Sequence, residues 1–146
     1  MEDAVSETRA EGPAAGERRY SVEEIFAIQP GLARLMPEVG NRFWKCWYAA
    51  EAGNWKLADW QLKELKKLLR VCIFTRPKYI EDLEDYLRAD LGPVTAAIAE
   101  QDFAAFDAAY LAAVDRANWY HEKWNKEYIV WRRPDMPPPD LDLRPR

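Results

Sequence analysis

Apolar residues recur every three or four positions in four successive stretches of this chain, and the breaks between them are only a few residues long. The first stretch predicts a helix over about 37–52, with Pro37 in its first turn and Val39, Phe43, Trp47 and Ala50 on one stripe. Gly53 stands just past its end, and Asn54 is placed to cap the next helix. That second helix, about 55–74, has Leu57, Trp60, Leu65, Leu68 and Cys72 as its predicted inner face, widened by Leu62, Leu69 and Ile73. Arg76-Pro77 breaks the chain before a third stretch with Tyr79, Leu83, Tyr86, Leu87, Leu91 and Val94 inward and Glu81, Asp82, Glu84 and Asp85 outward. Pro93 should kink this helix, or start a fresh segment that ends near Glu100. Asp102 then caps a fourth helix, which carries Phe103, Phe106, Tyr110, Ala113, Ala117, Tyr120 or His121, and Trp124 down one side. Connections this short predict an all-α, up-down-up-down four-helix bundle.

The ends read differently. Residues 1–19 show no periodicity and are expected to be a disordered tail. Ser21 and Glu24 form a capping-box pattern for a short helix over about 21–28, which must stop near Gln29 because Pro30 follows. Past about Lys126 comes the apolar run Tyr128-Ile129-Val130-Trp131, then a segment with Pro134, Pro137, Pro138 and Pro139. Such chain cannot be helical, so an extended Pro-rich arm or strap is expected over 128–146, after a bundle domain over 20–127.

Several function classes are disfavoured. A formal net charge of −4 is not that of a nucleic-acid binder, and the lysines of the second helix read as a solvated face. Cys46 and Cys72 are too few for a disulfide framework or a metal set, and read as reduced, buried thiols. No stretch is apolar for long enough to span a membrane, and the opening residues lack the apolar core of a signal peptide, so a cytoplasmic protein is expected. Motifs for acyl transfer, phosphoryl transfer and paired Glu-x-x-His metal sites are absent, and there is one histidine, His121. No catalytic or metal-binding residue is therefore assigned.

Aromatic residues make up 13% of the chain, seven of them Trp, and several crowd around His121. The order of elements, with Phe43…Trp47-Tyr48-Ala49-Ala50, Gly53-Asn54-Trp55-x-Leu57-Ala58 and Phe106-x-x-x-Tyr110, resembles the four-helix c-type cytochromes of the cytochrome c prime group. In that family the last helix ends in Cys-x-x-Cys-His, which holds haem through two thioethers and an axial histidine. The resemblance lays that motif on Ala117-Asn118-Trp119-Tyr120-His121, where only the histidine is kept, so it implies a related bundle without covalent haem.

Two functions follow as expectations. The first is a non-catalytic interaction module or small accessory subunit, bound to a partner protein or to itself through an arm anchored by Tyr128, Trp131 and Met136. The second is a protein that holds haem or another flat aromatic non-covalently near His121, among Phe43, Trp47, Tyr110, Trp119, Tyr120 and Trp124. Core packing is the plain alternative for that ring set, and a strap over the protein's own helices is the alternative for the arm.

Overall fold

The computed structural model describes residues 16–146, and the disordered tail expected over 1–19 lies, up to residue 15, outside the described residues. All regular structure among the described residues is helical: α1 (Val22–Ala27), α2 (Leu32–Glu51), α3 (Trp55–Thr75), α4 (Ile80–Asp85), α5 (Leu91–Glu100) and α6 (Phe103–Lys123). A 3-10 turn (Pro77–Tyr79) leads into α4, and a π-helical turn (Tyr86–Asp90) joins α4 to α5. The caps fall where the residue chemistry puts them. Ser21 and Glu24 complete a capping box, Asn54 Oδ1 accepts the Leu57 N–H, and Asp102 Oδ1 accepts the Ala105 N–H. Between α2 and α3, Gly53 takes the left-handed backbone (φ 75°) that a reversal this tight requires.

Two details depart from the sequence reading. Helix α2 begins at Leu32, so Pro37 lies inside it rather than in its first turn. The proline removes one rung of the ladder, yet Leu35, Val39 and Phe43 continue one stripe through it, and their packing on the core carries the helix past. On α3 the buried stripe is Ala58, Gln61, Leu62, Leu65, Leu69 and Cys72, while Trp60 is 49% exposed. A small residue at Ala58 lets α2 come close enough for the Cys46 thiol to reach the Ala58 carbonyl (3.4 Å). Trp60 packs outside instead, under the Arg42 guanidinium (4.9 Å to the ring centre), while Arg42 Nη1 donates to Oε1 of the buried Gln61 (3.2 Å).

Pro93 stands in the first turn of α5, so the third stretch resumes there as a fresh α-helical segment that ends at Glu100. Just ahead of it the Leu91 N–H reaches back five residues to the Tyr86 carbonyl, a wider turn than the α-helical one.

One core joins α2 through α6, with α2 packed along α3 and α5 along α6, while α1 buries no residue. Both cysteines are fully buried and unpaired. Burial raises both thiol pKa values, that of Cys72 to about 11, since a backbone hydrogen bond and Arg76 only partly oppose it. No described helix is long and apolar enough to cross a membrane.

Candidate functional site

A cavity of about 720 Å³ opens where the start of α2, the end of α3, α4 and the last turns of α6 meet. Its deep surface is apolar: Val39, Leu69, Leu83, Tyr86 and Ala117 line it and are all buried. Tyr79, Tyr120, Trp124 and Trp131 form aromatic walls, and the exposed Arg34, Lys78 and Lys126 line it from the solvent side. The α1–α2 linker closes one side. Arg76 holds that linker, its Nη2 donating to the Gln29 carbonyl (2.9 Å) and its Nη1 to the Thr75 carbonyl (2.7 Å). The approach is close enough that a side chain at Gly31 would meet the Arg76 Nε at 2.7 Å.

His121 lines this cavity from the last turn of α6. Its Nδ1 lies 2.9 Å from the Ile129 carbonyl, which can only accept, so Nδ1 carries the proton. In the neutral ring Nε2 is then the basic nitrogen, and no group among the described residues hydrogen-bonds to it. The Trp131 ring meets the imidazole edge-on (5.7 Å between centres).

Among the described residues Asp82 is the only carboxylate lining the cavity, and it is already engaged. It accepts from Lys123 Nζ (2.7 Å) and from Trp124 Nε1 (2.7 Å). Burial alone would raise its pKa, but these two hydrogen bonds and the Lys123 charge hold the carboxyl below its ordinary value. The pair fixes Trp124, whose ring meets Tyr79 edge-on (4.6 Å), so the aromatic wall is anchored at its polar edge.

The remaining ring residues singled out from the sequence are not gathered here. Phe43 and Tyr110 touch in the buried core (4.0 Å between centres) and line a second cavity of about 440 Å³ beneath the C-terminal segment. Trp47 lies further along α2, where its Nε1 donates to Asp107 (2.8 Å) and the Arg133 guanidinium covers its ring (4.0 Å). Trp119 is 45% exposed beneath Arg116. Of the ligand set, then, only Tyr120, His121 and Trp124 share the cavity, and Trp131 and Tyr79 join them.

Trp131 belonged to the arm in the sequence reading, and its position here had no local signal. It is set by Asn118, one turn before His121. Asn118 Oδ1 accepts the Trp131 N–H (2.7 Å) and Nδ2 donates to the Trp131 carbonyl (2.9 Å), which matches both backbone groups of one residue. The Trp131 ring then lies against Gly40, where a side chain would stand 3.7 Å from it. Further on, Tyr48 Oη donates to the Pro134 carbonyl (3.0 Å), Trp44 Nε1 to the Met136 carbonyl (2.8 Å) and Asn54 Nδ2 to the Arg144 carbonyl (3.3 Å). Lys45 pairs with Asp140 (2.7 Å). Tyr128 and Met136, the other two arm residues, are exposed.

No group of three or more His, Cys, Asp or Glu residues is arranged to hold a metal ion among the described residues. Comparison with protein-family models, with curated proteins and with solved structures finds no match for this chain.

Proposed function

We propose that this protein is a four-helix bundle, strapped by residues 128–146, which binds a flat apolar molecule non-covalently in the cavity beside His121. One observation carries the reading. A cavity of about 720 Å³, within the usual range for small-molecule sites, has an apolar floor, aromatic walls and a single basic nitrogen without a partner among the described residues. Haem is one occupant of this class. The Nδ1–H···O=C bond to Ile129 leaves His121 Nε2 oriented by its neighbour, as metal-binding imidazoles commonly are. A planar hydrocarbon would use the walls alone.

The test fills the cavity from its floor. Ala117→Leu and Ala117→Trp add progressively more bulk where Ala117 lines the cavity. Binding of a neutral flat probe, 1-pyrenebutanol, should weaken in that order while the helical circular dichroism is kept. Equal affinity in all three proteins would sink the reading.

A second reading, an interaction module or accessory subunit, rests on a different feature. Tyr20, Val22, Ile25, Phe26 and Ile28 are all exposed around α1, and so are Tyr128, Ile129 and Val130. If these patches pair two copies, sedimentation should give a mass near twice 17.0 kDa at micromolar concentration. A monomer at every concentration tested would rule out self-pairing.

A further inference from the structure

Resting on the cavity reading, we infer that the ligand is an apolar organic anion, its rings or chain in the cavity and its carboxylate held between Arg34, Lys78 and Lys126. Three cationic side chains line the cavity from exposed positions, and among the described residues none of them has a carboxylate partner within ion-pair distance. The other charged lining groups are accounted for. Arg76 is committed to the Thr75 and Gln29 carbonyls, and Asp82 to Lys123 and Trp124. With Asp82 neutralised by its own lysine, the excess charge facing a ligand is positive. Lys78 is also set over the Tyr79 ring (4.9 Å) and reaches toward Trp124 (5.9 Å), which puts its ammonium beside the aromatic wall.

This arrangement discriminates. The cavity desolvates the apolar body of any flat ligand, whereas only an anion gains from three unpaired cations, and a cationic ligand of the same shape is repelled. The protein as a whole carries a net charge of −4, so the preference has to come from the local rim and not from the overall charge.

Three probes of one shape separate the two claims: 1-pyrenebutyrate, 1-pyrenebutanol and 1-pyrenebutylammonium, titrated into the full chain at low salt. The butyrate should bind about ten-fold more tightly than the alcohol, and the ammonium more weakly than both. The double variant Lys78→Gln/Lys126→Gln should bring the ratio of butyrate to alcohol affinity, measured on the same protein, down to about one. The advantage should also shrink as salt is raised to about 1 M, where the screening length is about 3 Å. If butyrate and alcohol bind equally, or the ammonium binds best, the anion inference is overturned while the cavity stands. If the double variant keeps the butyrate preference, the rim assignment is wrong. If none of the three binds, or if Ala117→Trp leaves all three affinities unchanged, the cavity reading fails first and the inference goes with it.

Discussion

Removing residues 127–146 should lower the melting temperature by about 10 °C or more, the larger of two effects expected to dominate any mutational survey of this protein. Deletion strips Trp131 from α2 and α6, leaves the Asn118 amide without either of its partners, and takes the acceptors from Trp44 and Tyr48. It also uncovers Phe43 and Tyr110 on the inner side of the second cavity. Trp131→Ala isolates the main part of this. The ring is only partly buried, so its truncation should cost about 2 kcal/mol, near the value for burying one large apolar side chain. The remaining loss in the deletion would then come from the hydrogen bonds, each contributing about 0.5–1.5 kcal/mol net. Thermal melts of the three proteins decide it. A truncated protein that melts with the full-length one would mean that the segment merely lies on the surface and stabilises nothing.

Phe106→Ala should cost about 3–5 kcal/mol, because the ring is fully enclosed and nothing can collapse into the space it leaves. Phe106 stacks with Phe103 (6.1 Å), tilts against Tyr110 (6.0 Å) and meets Trp55 edge-on (6.1 Å), so its loss loosens three rings at once. The effect should be confined to stability. Phe106 lines neither cavity, and the midpoint in denaturant should fall while the affinity for 1-pyrenebutanol, measured where the variant is folded, stays the same. A loss below about 1 kcal/mol would show that this end of the core is loosely packed. Lost affinity at full folding would show instead that the two ends of the protein are coupled.

The sequence was most legible where one residue decides its own local geometry. Asn54, Asp102 and the Ser21–Glu24 pair cap the helices they were expected to cap, because each acts on backbone groups within three residues of itself. Stripes set by tertiary contact were read less well. The spacing on α3 puts Leu62, Leu65, Leu69 and Cys72 inward, where they are buried, but it puts Trp60 there too, whereas the close approach of α2 favours Ala58 and Trp60 finds cover from Arg42 outside. The same holds at Pro37. Its breaking tendency is local and visible, whereas the packing that carries α2 through it depends on the rest of the protein.

For the site, His121 stood out by being alone, and Tyr120 and Trp124 by helical spacing. Trp131 and Tyr79 could not be foreseen in the cavity, since each is brought there by a contact between segments distant in sequence: Trp131 by Asn118, Tyr79 through Trp124 and Asp82. The rim cations carried no motif at all.

The hydrogen bond from Asn54 to the Arg144 carbonyl has a practical side. It sets Arg144 beside the turn that ends α2, whereas the 720 Å³ cavity lies at the start of that helix. A helix of 20 residues is about 30 Å long, so the two features lie about one helix length apart. A biotin or sensor-chip linker attached after Arg146 would therefore hold the protein with its cavity facing away from the support. Surface-based binding assays can be built on that end without obstructing the cavity, whereas an attachment ahead of α1 would sit next to the linker that borders it.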